Sequence, residues 1–139
     1  MSISNRKVVI VGAGHVGSHV GYALISQSLA DEIVYIDSDH AKAVAQALDL
    51  TDATNYLPVR TKVIAGDYSD AKDAQIMIIS AGPLPTGNQT RMDTLGQTIA
   101  ILKDVTKSIK ESGFDGIIVN ISNPADVITH YIQHTLNWA

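Results

Sequence analysis

An α/β fold, a doubly wound parallel sheet with helices on its faces, follows from three features of the sequence. Short apolar runs at 7–11, 33–36, 61–65, 75–80 and 116–121 alternate with segments whose apolar residues recur at helical spacing, the pattern of βαβ units joined by right-handed crossovers. The run Gln75-Ile76-Met77-Ile78-Ile79-Ser80 is continuously apolar rather than alternating, which suits a central parallel strand covered on both faces. The first run enters its helix through Gly12-Ala13-Gly14-His15-Val16-Gly17, a strand, tight turn and helix in the G-x-G-x-x-G order.

The elements can be taken in order. Val16, Val20, Ala23, Leu24 and Ile25 give a first helix over 16–28 an apolar stripe, and Ala43, Ala47, Leu48 and Leu50 do the same for a second over 41–55. His15 and His19 read as surface or phosphate-edge histidines. Gly66-Asp67-Tyr68-Ser69-Asp70 interrupts the chain after the third strand. The fourth strand ends at Ser80-Ala81-Gly82, small residues that leave room for a ligand where open α/β sheets bind theirs. Two prolines and a glycine keep Pro83-Leu84-Pro85-Thr86-Gly87-Asn88-Gln89 irregular. A long helix over 90–112 carries Leu95, Ile99, Leu102, Val105 and Ile109 inward and Lys103, Lys107 and Lys110 on a solvated face. Gly113 caps it, and Pro124 stands in the first turn of the last helix. His130 and His134 have ligand spacing on that helix but no accompanying carboxylate, so no metal is expected.

Composition narrows the function classes. The 139 residues suffice for one domain with a real core. A net charge of −4 and a pI near 5.6, with no basic run, argue against a nucleic-acid or anionic-membrane surface. The absence of cysteine excludes disulfides, thiolate catalysis and cysteine metal sites. No apolar stretch approaches the ~18 residues of a membrane span. The N-terminus leads into the first strand without an apolar signal core, so the expected compartment is the cytoplasm.

The three glycines have separate physical roles: Gly12 for the tight turn, Gly14 for close approach of backbone to a pyrophosphate, and Gly17 for close packing of helix on strand. The phosphates would face free N–H groups and the positive end of a helix dipole, without needing a lysine. Taken alone, the pattern also describes a ligand-free turn. Its context is more specific, because the second strand Ile33-Val34-Tyr35-Ile36 ends in Asp37, twenty positions after Gly17, where a carboxylate accepts the hydroxyls of an adenosine ribose. Ser38 and Asp39 follow, with no arginine for a 2′-phosphate, so NAD is expected over NADP. The expected architecture is thus a Rossmann sheet with five of its six strands.

Six stretches in register, VVIVGAGHVG, IVYID, KAVAQALDLTDA, GDYSDAKDAQIMIISAG, QTRMD and VNISNPADVIT, resemble the L-lactate/malate dehydrogenase family, and ESGFDGIIVNISNPADVIT is similar to its L-lactate and L-2-hydroxyisocaproate branch. The resemblance implies the N-terminal NAD-binding domain, here residues 1–139, of an enzyme moving a hydride between NADH and a small 2-oxo or 2-hydroxy acid, and a homo-oligomer joined through helix 41–55. It places Val16 near the pyrophosphate or adenosine, Asp37 on the ribose, and Lys42 and Tyr68 at the adenine end. Ser80, Ala81, Gly82 and Pro83 would line the cleft, and Ile121, Ser122 and Asn123 would meet the nicotinamide ribose, with Asn123 also reaching the substrate. Arg91 matches the loop arginine that polarises the substrate carbonyl. Pro85 falls where relatives read the substrate side chain, with glutamine for lactate and arginine for malate. Because proline cannot pair with a second carboxylate, an apolar 2-oxo acid is expected. Ala45 and Asp52 depart from the glycine and histidine of many relatives. The family's catalytic histidine, its orienting aspartate and its carboxylate-binding arginine match nothing in these residues; the sixth strand and substrate domain are expected to be missing and the chain inactive alone. The alternative is a stand-alone NAD-binding module without dehydrogenase activity, or a different NAD enzyme on the same fold.

Overall fold

A computed structural model describes residues 5–138; segment 1–4, read as leading into the first strand, lies outside them. The order is β1 (Lys7–Val11), α1 (His15–Ser26), β2 (Glu32–Ile36), α2 (His40–Thr54), β3 (Lys62–Ala65), a 3₁₀ turn (Tyr68–Ala71), β4 (Ile76–Ile79), α3 (Leu95–Ser112), β5 (Ile117–Asn120) and α4 (Ala125–Leu136). β3 begins one residue later than expected, β4 and β5 are one residue shorter at each end, and β2 begins one residue earlier, at Glu32.

All four pairings are parallel, in the order β3-β2-β1-β4-β5. The winding therefore reverses between β1 and β4, and their carboxyl ends open a crevice there. One face packs Val9, Val11, Val34, Ile36, Met77 and Ile79 against Leu102, Val105 and Ile109 of α3 and Ile128, Ile132 and Leu136 of α4. The other packs Val8, Ile10, Ile33, Tyr35 and Ile78 against Ile25 of α1 and Ala43, Ala47 and Leu50 of α2. Burial on both faces accounts for the unbroken apolar runs. At the opposite end of the sheet, buried Lys7 donates to Asp73 at 2.7 Å and lies 3.7 Å from Glu32. Burial opposes its charge, but the hydrogen bond and the two carboxylates outweigh this and raise its pKa.

Several expectations are corrected. The buried residues of α1 are Gly17, Gly21 and Ile25, while Val16 is 51% exposed. The helix lies so close to β2 that a Cβ on Gly21 would come within 1.9 Å of the Tyr35 hydroxyl, which donates to the Gly17 carbonyl at 3.1 Å. Leu48, expected inside, is 62% exposed, because α2 turns its small residues Ala43 and Ala47, with Leu50 and Thr54, toward the sheet. The third helix starts at Leu95 rather than 90. There the Thr90 N–H and hydroxyl both donate to the Asp93 carboxylate, at 2.6 and 2.8 Å, a local arrangement that competes with helical bonding. Pro124 is the N-cap of α4, preceded by a cis peptide bond, rather than a residue of its first turn. Gly113 does cap α3, with φ +73°.

Candidate cofactor cleft

Two cavities of about 540 and 490 Å³ lie along the carboxyl ends of the strands and share Ser80, Ala81, Gly82 and Pro83 as a common wall. Into the first face Gly12, Gly14, Asp37, Lys42 and Tyr68; into the second face His15, Val16, Pro85, Arg91, Ile121, Ser122 and Asn123. The structure thus gathers residues from 11 to 123 into one elongated cleft at the point where the winding reverses.

The glycines divide as their local geometry requires. Gly12 has φ +102°, and a Cβ there would meet the Ser80 carbonyl oxygen at 2.3 Å. Gly17 lines neither of these two cavities: a Cβ there would come within 1.9 Å of the Gly12 carbonyl oxygen. Around Gly14 only the Lys42 ammonium is near, 3.8 Å from the Cβ position. The Gly14 backbone is therefore open on the side where the amino end of α1 points, and a cation stands beside it. Both features suit an anion, so the cradle fits a pyrophosphate. Lys42, expected at the adenine end, reaches back toward this turn.

Asp37 is doubly engaged. One carboxylate oxygen accepts from the Ala13 N–H at 2.7 Å and the other from the Asp39 N–H at 2.9 Å. Each oxygen keeps a further lone pair for a donor in the cleft, so the acid that holds the glycine turn can also receive ribose hydroxyls. Tyr68 is half-buried on the 3₁₀ turn, and burial pushes its phenol up to about 12; it presents a neutral ring to the first cavity.

Val16, expected near the pyrophosphate or adenosine, borders the second cavity and not the first. Residue 16 lies in the first turn of α1, on the face that looks along the cleft toward β5. Arg91 sits in the turn before α3, exposed at the mouth of the same cavity as Asn123 and Pro85. His15, read as peripheral, also borders it. The sequence reading missed the α3 wall of the first cavity, Ile101, Asp104, Val105 and Ser108. Their 3- and 4-residue spacing flanks the buried stripe and was the available signal. His130 and His134 are exposed on α4, and no three His, Asp or Glu side chains converge among the described residues. None of the described helices is long and apolar enough to cross a membrane.

Comparison with known proteins agrees with this geometry. Residues 6–137 match the family model described as lactate/malate dehydrogenase, NAD binding domain. The chain is 45% identical over 132 residues to L-lactate dehydrogenase 3 of Bacillus cereus, covering 95% of this chain and 42% of that protein. It superposes on the ligand-bound minor L-lactate dehydrogenase of Enterococcus mundtii with TM-score 0.92 and 38% identity, over 98% of this chain and 43% of the other. On the Cryptosporidium parvum lactate dehydrogenase bound to lactic acid and nicotinamide adenine dinucleotide, the values are 0.91 and 27%, over 99% and 43%. The chain thus spans about two fifths of the length of these relatives.

Proposed function

From the premise that this chain belongs to the lactate/malate dehydrogenase family, as its NAD-binding domain, we propose that it is the coenzyme-binding part of an NAD-dependent L-2-hydroxyacid dehydrogenase acting on lactate or a longer apolar 2-hydroxy acid. The observation that carries this is the continuous cleft, with Asp37, Gly14 and Lys42 at one end and Arg91 and Asn123 at the other.

The bound coenzyme supplies the hydride. The chain's own residues bind and orient. The open backbone at Gly14, the amino end of α1 and the Lys42 ammonium take the pyrophosphate, and Asp37 takes the adenosine ribose. A 2′-phosphate at that position would meet Asp37 and Asp39, which disfavours NADP. Tyr68 closes the adenine end, and Ala81, Gly82 and Pro83 line the path to Ile121, Ser122 and Asn123, which hold the nicotinamide riboside. Negative charge that develops on the substrate carbonyl oxygen is met by the Arg91 guanidinium, a donor of a kind typically worth ~3 kcal/mol in the transition state. Pro85 offers nothing to a second carboxylate, which favours pyruvate or a branched 2-oxo acid over oxaloacetate. In the family the proton-transferring histidine and the carboxylate-binding arginine belong to a substrate domain that residues 1–139 do not match. These residues by themselves are therefore expected to bind coenzyme without turnover. Exposed Val44 and Leu48 on α2 support a homo-oligomer assembled through that helix, and a cysteine-free acidic chain suits the cytoplasm.

Titration of the chain with NADH, followed by nucleotide fluorescence, tests the reading. Saturable binding is expected, with NADPH much weaker and Asp37→Ala at least about tenfold weaker. Failure to bind NADH would remove the assignment, and equal affinity in Asp37→Ala would remove Asp37 from the site.

A further inference from the structure

Asn120 faces away from the cleft, yet its side chain is the most heavily bonded amide among the described residues. Strand alternation points it, like Ile118, toward α3 and α4, where an apolar residue would continue the core. Its Oδ1 instead accepts from the Ser122 N–H at 3.1 Å. Its Nδ2 donates to the Ala125 carbonyl at 3.1 Å, to the Thr129 hydroxyl at 3.1 Å and, more weakly, to the Ser122 carbonyl at 3.4 Å. Thr129 passes its own proton to the same Ala125 carbonyl at 2.6 Å. One side chain thus joins the end of β5, the loop 121–124 and the first turns of α4.

The loop it ties is the one that presents Ile121, Ser122 and Asn123 to the second cavity. Ser122 is held on a further side, by its hydroxyl donating to the Ile79 carbonyl at 3.3 Å, and Ile121 by its N–H to the same carbonyl at 2.9 Å. Asn123 itself is exposed and has no side-chain hydrogen bond among the described residues. Its direction is therefore set by its neighbours, and Asn120 ties Ser122 before it to Ala125 after it, alongside the bonds of Ile121 and Ser122 to Ile79. The first cavity, with Asp37 and Gly14, receives none of these bonds.

We propose that Asn120 is a positioning residue for the nicotinamide half of the coenzyme and has no part in holding the adenosine half. The inference rests on the coenzyme reading above, and ADP, which keeps adenosine and pyrophosphate but lacks the whole nicotinamide riboside, separates the two. Asn120→Val removes every bond of the amide while placing a strand-favouring apolar residue on a half-buried face. For Asn120→Val, calorimetric titration of the 139-residue chain should show NADH affinity reduced about tenfold and ADP affinity within about twofold of the parent. Thr129→Val, at an exposed helix position, removes the bond from Asn120 and the bond to Ala125 but leaves Asn120 its bonds to Ser122 and Ala125; it should shift NADH in the same direction by about two- to threefold, and it carries the test if Asn120→Val does not fold. An equal loss for NADH and ADP would make Asn120 a general support of the fold and overturn the proposal, as would unchanged NADH affinity in both variants. A parent chain that binds ADP and NADH equally would overturn it too, since there would then be no nicotinamide riboside contact to position. A parent chain that binds neither would overturn the coenzyme reading itself, and this inference with it.

Discussion

At the residue scale, the decisive positions are those where one atom more or less changes what can approach. A Cβ on Gly21 would collide with the Tyr35 hydroxyl at 1.9 Å and approach Leu50 at 2.8 Å, both on buried neighbours. Gly21→Ala should therefore destabilise the chain by about 1–3 kcal/mol in urea unfolding despite its gain in helix propensity. Adding Tyr35→Phe should return part of that loss, because the nearest clash is with the hydroxyl. A neutral Gly21→Ala would show that α1 can move away from β2. Arg91 is a contrasting case, exposed in a turn with nothing holding its guanidinium among the described residues. Its substitution by Gln should leave NADH affinity within about twofold. In a longer polypeptide that turns over, it should lower kcat by about 10²–10³-fold. Lost NADH affinity without a change in kcat would make it a coenzyme residue instead.

At the scale of elements, the amino ends of β1 and β2 are joined by a charged clip. Arg6 donates to Asp31 through Nε at 3.0 Å and Nη2 at 2.7 Å, its backbone N–H reaches the same carboxylate at 2.9 Å, and Nη1 donates to the Ser28 carbonyl at 2.8 Å. The guanidinium bonds first, and then the backbone N–H, hold the Asp31 carboxyl down from 3.8 to about 2. A carboxyl depressed in the folded state contributes stability above its unfolded pKa and loses it as pH falls through the folded one. The contribution of the clip should thus be complete above about pH 4, and decline toward about pH 2. Thermal melts across that window should show Asp31→Asn with a lower midpoint at neutral pH and a shallower fall on acidification; parallel curves for the two proteins would exclude the clip as a source of acid sensitivity. The turn before α3 shows the same chemistry locally. The Thr90 N–H, followed by its hydroxyl, lowers the Asp93 carboxyl, and these bonds explain why the helix begins five residues later than its apolar spacing suggested.

At the scale of the whole molecule, the described sheet ends in two singly paired strands, β3 and β5, and β5 exposes the larger apolar side chains. β5 pairs only with β4, and on its face away from α4 Ile117 is 67% and Val119 42% exposed. A parallel edge of this kind is a template for further pairing. Concentrated chain should self-associate in sedimentation velocity, and Ile117→Lys should shift it toward monomer without altering NADH affinity; a monomer at all concentrations would rule this edge out as sticky. Much of the architecture was legible beforehand, because helical period, continuous apolar runs, glycine turns and the acid after the second strand are local signals that survive in one dimension. They determined the element order, the doubly wound class and the grouping of Gly12, Gly14 and Asp37 at one end of the cleft. Only the tertiary structure decided how each helix is rotated. It turned Val16 and Leu48 outward, put Gly21 against Tyr35, brought Ile101 and Asp104 into the cavity wall, and spent Asn120 on the loop behind the cleft. The reason is that such choices depend on which side chains meet across elements far apart in sequence, and local periodicity carries no record of the partner.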